Sequence, residues 1–75
     1  MDVAIYCKKK YVEIIKAKLT EVLSEGKAQD SSHHYILCWM GRKELGELIV
    51  NLAEVFDLVS LRNSDDDGVW EIVVS

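Results

Sequence analysis

Proline is absent from this 75-residue chain, so no segment is barred from regular structure by a locked φ or a missing N–H donor. Cysteine is scarce: Cys7 and Cys38 stand alone, with no paired-cysteine spacing between them. That excludes a disulfide scaffold and leaves zinc without its usual four-ligand motif. Both lie inside apolar runs, where a thiol acts as a small hydrophobe, so two buried free thiols are expected. Long hydrophobic runs are missing too. None approaches the ~20 apolar residues that span a bilayer, and Met1-Asp2-Val3 lacks the basic start of a secretory signal. A cytoplasmic location and no membrane partner are the expectations. An excess of positive charge is also lacking, since nine basic against thirteen acidic residues leave a net charge of −4. Proteins that grip nucleic acid through its phosphates are usually basic.

Chemistry-bearing motifs are equally thin. There is no glycine-rich phosphate loop, no nucleophile elbow and no paired-carboxylate pattern. A chain this short has little left to enclose a substrate once its core is built. The expectation is a non-enzyme, with no catalytic residues, no cofactor and no metal.

What is present is material for a core. Hydrophobic residues make up 49% of the chain, too many for a disordered tail. Residues 1–75 read as one domain that buries about 60% of its unfolded surface, a thin margin that a homodimer or partner would help. Val3-Ala4-Ile5-Tyr6-Cys7 is β-prone and reads as the first strand. From Tyr11 to about Glu25, apolar residues at Tyr11, Val12, Ile15, Leu19, Val22 and Leu23 step by threes and fours, predicting a helix ended by a left-handed Gly26. Lys27 to Ser32 is polar and small, hence a loop. His34 to Met40 is nearly continuous apolar sequence, a strand on which Tyr35 and Trp39 share a side. A second helix follows Gly41, with Leu45, Leu48, Ile49, Leu52, Ala53 and Phe56 on one face; Gly46 within it suggests close backbone packing. Leu58–Leu61 and Val69–Val74 complete the chain as two strands around a polar loop, Asn63 to Gly68. The predicted fold is a two-layer α/β sandwich in β-α-β-α-β-β order, a four-stranded mixed sheet with two helices on one face.

Positive charge clusters where helices begin: Lys8, Lys9 and Lys10 before the first, Gly41, Arg42 and Lys43 at the second. Helix dipoles disfavour cations there, so such clusters are candidates for holding an anion or an acidic partner. With the first two strands parallel, right-handed crossovers start both helices at one sheet edge, and the clusters converge. Arg62 and the carboxylates of Asp65, Asp66 and Asp67 then join them.

Asn63-x-Asp65-x-Asp67-Gly68 opens like a calcium loop, but Val74 occupies the position of the bidentate glutamate and the flanks are strands. His33, His34 and Cys38, with Cys7 on a neighbouring strand, raise a transition-metal question, but zinc wants four ligands at tight tetrahedral distances and no paired-cysteine motif supplies them. Of the aromatics, Tyr35, Trp39 and Trp70 are candidates for the sheet face that a two-layer fold leaves uncovered, a surface for dimerisation, partner binding or base stacking.

The element order, together with the strand-to-helix step Trp39-Met40-Gly41-Arg42-Lys43-Glu44, resembles the C-terminal domain of the third bacterial translation initiation factor and the Alba chromatin proteins. That resemblance implies a nucleic-acid role for Arg42 and Lys43. The residues themselves lead elsewhere, to a small regulatory interaction module of adaptor or inhibitor type. Its partner is expected to be a protein, with a homodimer as one form. The alternative is an RNA- or DNA-binding domain using the basic edge.

Overall fold

The computed structural model describes residues 1–29, 32–63 and 68–75. In chain order the elements are β1 (Asp2–Cys7), a 3₁₀ turn (Lys9–Tyr11) leading into α1 (Val12–Lys16), β2 (Val22–Lys27), β3 (His34–Trp39), α2 (Arg42–Val55), β4 (Val59–Asn63) and β5 (Trp70–Val74). They form a small α+β domain with a mixed sheet. Five strands stand in the order β2-β3-β1-β5-β4, so the expectation of four is corrected. The β1–β3, β2–β3 and β4–β5 pairs are antiparallel, and β1–β5 is parallel.

The extra strand comes from the segment expected to finish the first helix. That helix stops early. Lys18 and Leu19 donate their N–H groups to the carbonyls of Ile15 and Lys16, three residues back, at 2.9 and 3.1 Å, a tightening that closes the last turn. Val12 and Ile15 reach the core as their spacing predicts, and Leu19 packs against it. Val22 and Leu23, assigned to the same helical face, are instead exposed in β2. Their chain pairs with β3 from Val22–Cys38 to Lys27–His34, exchanging a local helix for a ladder. Gly26 is therefore a strand residue rather than a left-handed helix stop. Among the described residues, the positive-φ glycine is Gly68, at 71°.

β1 is the central strand. Val3, Ile5 and Cys7 are fully buried at period two, facing the helices with Ile36 and Cys38 of β3 and Ile72 and Val74 of β5. From α2, Leu45, Leu48, Leu52 and Phe56 close over them, the i, i+3, i+4 stripe of an amphipathic helix. Each such aliphatic burial contributes about 1.5–3 kcal/mol. Tyr11 meets Phe56 edge to face, ring centres 5.1 Å apart, and joins the helical layer at one end. Both cysteines are buried free thiols. They share the helix side of adjacent strands, but Cys38 lies opposite Val3, so roughly 13 Å of strand separates it from Cys7.

Gly46 departs from its reading. A Cβ built there meets nothing within 4 Å, so no neighbour requires glycine, and the residue sits on the outer surface of α2. No helix among the described residues is long and apolar enough to cross a membrane.

Candidate functional site

Both helices pack on one face of the sheet, and the alternation of side chains assigns residues to the other. On β1 these are Ala4 and Tyr6; on β3, Tyr35, Leu37 and Trp39; on β5, Glu71 and Val73; on β4, Ser60 and Arg62. The register stands Tyr6 directly opposite Tyr35 and Ala4 between Leu37 and Glu71. Together they floor an open hollow of about 670 Å³. The small Ala4 side chain makes the centre low, and the tyrosines, Leu37 and Val73 stand around it.

Gly26 shapes one wall. It pairs with Tyr35, and a Cβ on it would lie 3.2 Å from Tyr35 Cε1 and from its hydroxyl oxygen. The Tyr35 ring thus lies close across the backbone of β2, where a larger residue than Gly26 would press on it. Gln29 and His33 form the rim beyond this wall. Across the hollow, Arg62 Nε donates to Glu71 Oε1 at 3.2 Å, so this cation is held by a carboxylate on the neighbouring strand, while Lys27 adds a second cation to the rim. The rim is polar, with Lys27, Arg62 and Glu71 as its charged residues. The floor is apolar and aromatic.

The sequence-predicted residues distribute differently from expectation. Tyr35 and Trp39 share the open face, and Trp39 is half exposed. Trp70 does not join them. It lies opposite Val3 on the helix side and packs against the core, because the parity of β5 that buries Ile72 and Val74 also turns Trp70 inward. Val73 and Gly26 go unnoticed as site residues in the sequence, while Tyr6, one of the aromatics, and Leu37, which shares a strand face with Tyr35 and Trp39, are not picked out for the site. Strict alternation with the buried Val3, Ile5 and Cys7 is the signal that could have found Tyr6.

Convergence of the basic clusters is overturned. Because β1 and β3 are antiparallel, Cys7 stands beside His34 and Asp2 beside Trp39. Lys8, Lys9 and Lys10 therefore leave one end of the sheet, while Gly41, Arg42 and Lys43 follow from the other, roughly 17 Å of strand away. Lys10 lies over the Tyr11 ring at 5.1 Å. Gly41 caps α2 in an extended conformation with no side chain to offer, its carbonyl accepting the Leu45 N–H at 3.0 Å. In the same turn, Thr20 Oγ1 donates to Glu44 Oε2 at 3.2 Å. Arg62 belongs to the open face rather than to either cluster. Asp65, Asp66 and Asp67 lie outside the described residues, and the calcium-loop reading with them.

Both thiols lie on the helix side of the sheet, away from the open face. Burial pushes the Cys38 thiol up to about 11 and raises that of Cys7, which keeps both protonated and quiet at neutral pH. Cys38 Sγ donates to the Val3 carbonyl at 3.4 Å. On the helix side, the hydrogen bond to Glu25 raises the Lys16 ammonium. His34 and Cys38 do share a strand face, yet four residues part them, too far for one metal ion. No group of three or more His, Cys, Asp or Glu side chains among the described residues is placed to hold one.

Comparison of the chain with family models, with curated proteins and with solved structures returns no match. The element order also departs from that of the nucleic-acid-binding families named above, since β2 replaces the second half of the expected helix.

Proposed function

We propose that this chain is a non-enzymatic interaction module that holds a macromolecular partner, a protein, on the open face of its sheet. One observation carries the reading: a concave apolar and aromatic floor, left uncovered by the helices, with a polar rim on which Arg62 is held by Glu71. Recognition surfaces have that anatomy, a desolvated centre with few charges inside a wet border. Tyrosines at the centre suit it, since they offer large contact area at low entropic cost. The acidic net charge favours a protein over a polyanion. An adaptor or inhibitor that works by occupying a surface needs no more than this.

A second reading has its own support. Tyr6 and Tyr35 stand side by side on neighbouring strands, the spacing at which a sheet stacks successive bases of single-stranded nucleic acid.

Affinity capture with the wild type and with Leu37→Glu, which places a carboxylate in the apolar floor, tests the proposal. The partner is expected to be retained by the wild type and by a variant with Lys8, Lys9 and Lys10 changed to Ser, and lost by Leu37→Glu. Capture that survives Leu37→Glu overturns the role of the face. A panel of labelled RNA and DNA at low salt separates the second reading: binding that falls steeply with rising salt replaces protein with nucleic acid.

A further inference from the structure

The free edges of the sheet are β2 and β4. Exposed edges offer unpaired N–H and C=O groups to any extended chain, and proteins blunt them with charge, bulges and strand-breaking residues. β2 is blunted in that way. Its register shifts between Val22 and Ser24, Glu25 is tied to Lys16 at 3.0 Å, and Gly26 and Lys27 end it. β4 has none of these devices. Val59-Ser60-Leu61-Arg62-Asn63 pairs with β5 without a shift, and its single charge reaches inward to Glu71, away from the edge.

The hydrogen-bond parity of β4 adds a second point. Leu58 and Ser75 exchange both backbone bonds, at 2.9 and 3.0 Å. Alternation along an antiparallel ladder then turns the main chain of Ser60 and Arg62 toward β5 and that of Val59, Leu61 and Asn63 outward. The outward groups of the strand are thus arranged symmetrically about Leu61.

The geometry points to a second copy of this chain as the occupant of the β4 edge, antiparallel and related by a two-fold axis through Leu61. In that register Leu61 pairs with the partner's Leu61, and Val59 with the partner's Asn63, which satisfies every outward group of the strand. Among the described residues of the strand no like charges meet directly, because Arg62 stands opposite the partner's Ser60 and each arginine arrives paired with its own Glu71. Apolar side chains flank the strand on both faces: Leu61 is 40% exposed and Leu58 68%. Pairing covers them, and isologous contact of one patch with itself closes at two subunits. The joined sheet sets two open hollows side by side, each with Arg62 on the shared seam. The inference is independent of what those hollows hold.

Sedimentation and amide exchange across a wide protein concentration range test it. Mass is expected to rise from 8.5 kDa toward the dimer value. The amides of Val59, Leu61 and Asn63 should gain protection in parallel, while those of Ser60 and Arg62 are protected throughout. Leu61→Lys sets like charges on the two-fold axis and should weaken association about tenfold or more; Leu23→Lys on the other edge should leave it unchanged. A mass fixed at that of the monomer overturns the inference. So does association without protection at the three outward amides, which transfers it to another surface. Should Leu61→Lys fail to fold, the wild-type amides decide alone.

Discussion

Ile36 and Leu37 are neighbours on β3, nearly identical in chemistry, and they meet opposite environments. Ile36 points to the helices and is fully buried, whereas Leu37 points to the hollow and keeps part of its surface in water. The same holds for Ile5 and Tyr6 on β1 and for Ile72 and Val73 on β5. One face of the sheet spends its apolar surface on internal cohesion. The other keeps comparable material unspent, and what separates them is only which side the two helices cover. Stability and recognition therefore sit on alternate residues of the same strands, and substitution can address them separately.

The sharpest break in that pairing is expected at Ile36. Ile36→Ala should cost about 2–5 kcal/mol through lost burial and a residual cavity, against about 0.5 kcal/mol or less for Leu37→Ala as a surface change; urea midpoints measure both. Equal losses would show that the open face is as cohesive as the covered one. A smaller effect tests the covered face through pH. The Cys38 thiol titrates at about 11 in the fold against 9.0 when free, so the folded state keeps a proton that the unfolded chain releases. Its stabilising contribution is complete below pH 9.0 and declines as pH rises toward about 11. Denaturant midpoints of Cys38→Val should decline less over that window than those of the wild type, and thiol reagents should label neither cysteine of the native protein at neutral pH. The smallest effect lies on the outer surface of α2. Gly46→Ala fills open space and should stabilise by up to ~1 kcal/mol through helix propensity, read as a rise in Tm; a fall would reveal a neighbour that the monomer lacks.

Much of the architecture was legible in advance. Alternation placed β1 and β3, threefold and fourfold spacing placed α2, and polar loops flanked by β-branched runs placed β4 and β5. The misplaced secondary structure lies in residues 17–27, and the error propagated. Val22 and Leu23 continue the helical spacing of Val12, Ile15 and Leu19, and nothing local reveals that the flank of β3 offers them a ladder instead. Each added strand reverses the direction of the chain, so one unseen strand moved the start of α2 to the opposite end of the sheet. That reversal parted Arg42 and Lys43 from the lysine triplet. The candidate site was half legible for a related reason: Tyr35 and Trp39 follow from period two, but the inward turn of Trp70 depends on the register of β5 against β1.

The position of β1 also sets an order in time. The central strand has its two flanks filled from far along the sequence, by β3 and by β5, which sets Val3 beside Trp70. β1 and the β2–β3 hairpin can assemble without β5, but one edge of Val3 to Tyr6 stays open until Trp70 to Val73 arrive. Pairings of such long sequence separation slow folding. Until β5 docks, β1 thus shows one bare edge of an aliphatic strand, and that interval is when the folding chain most needs shelter from its neighbours.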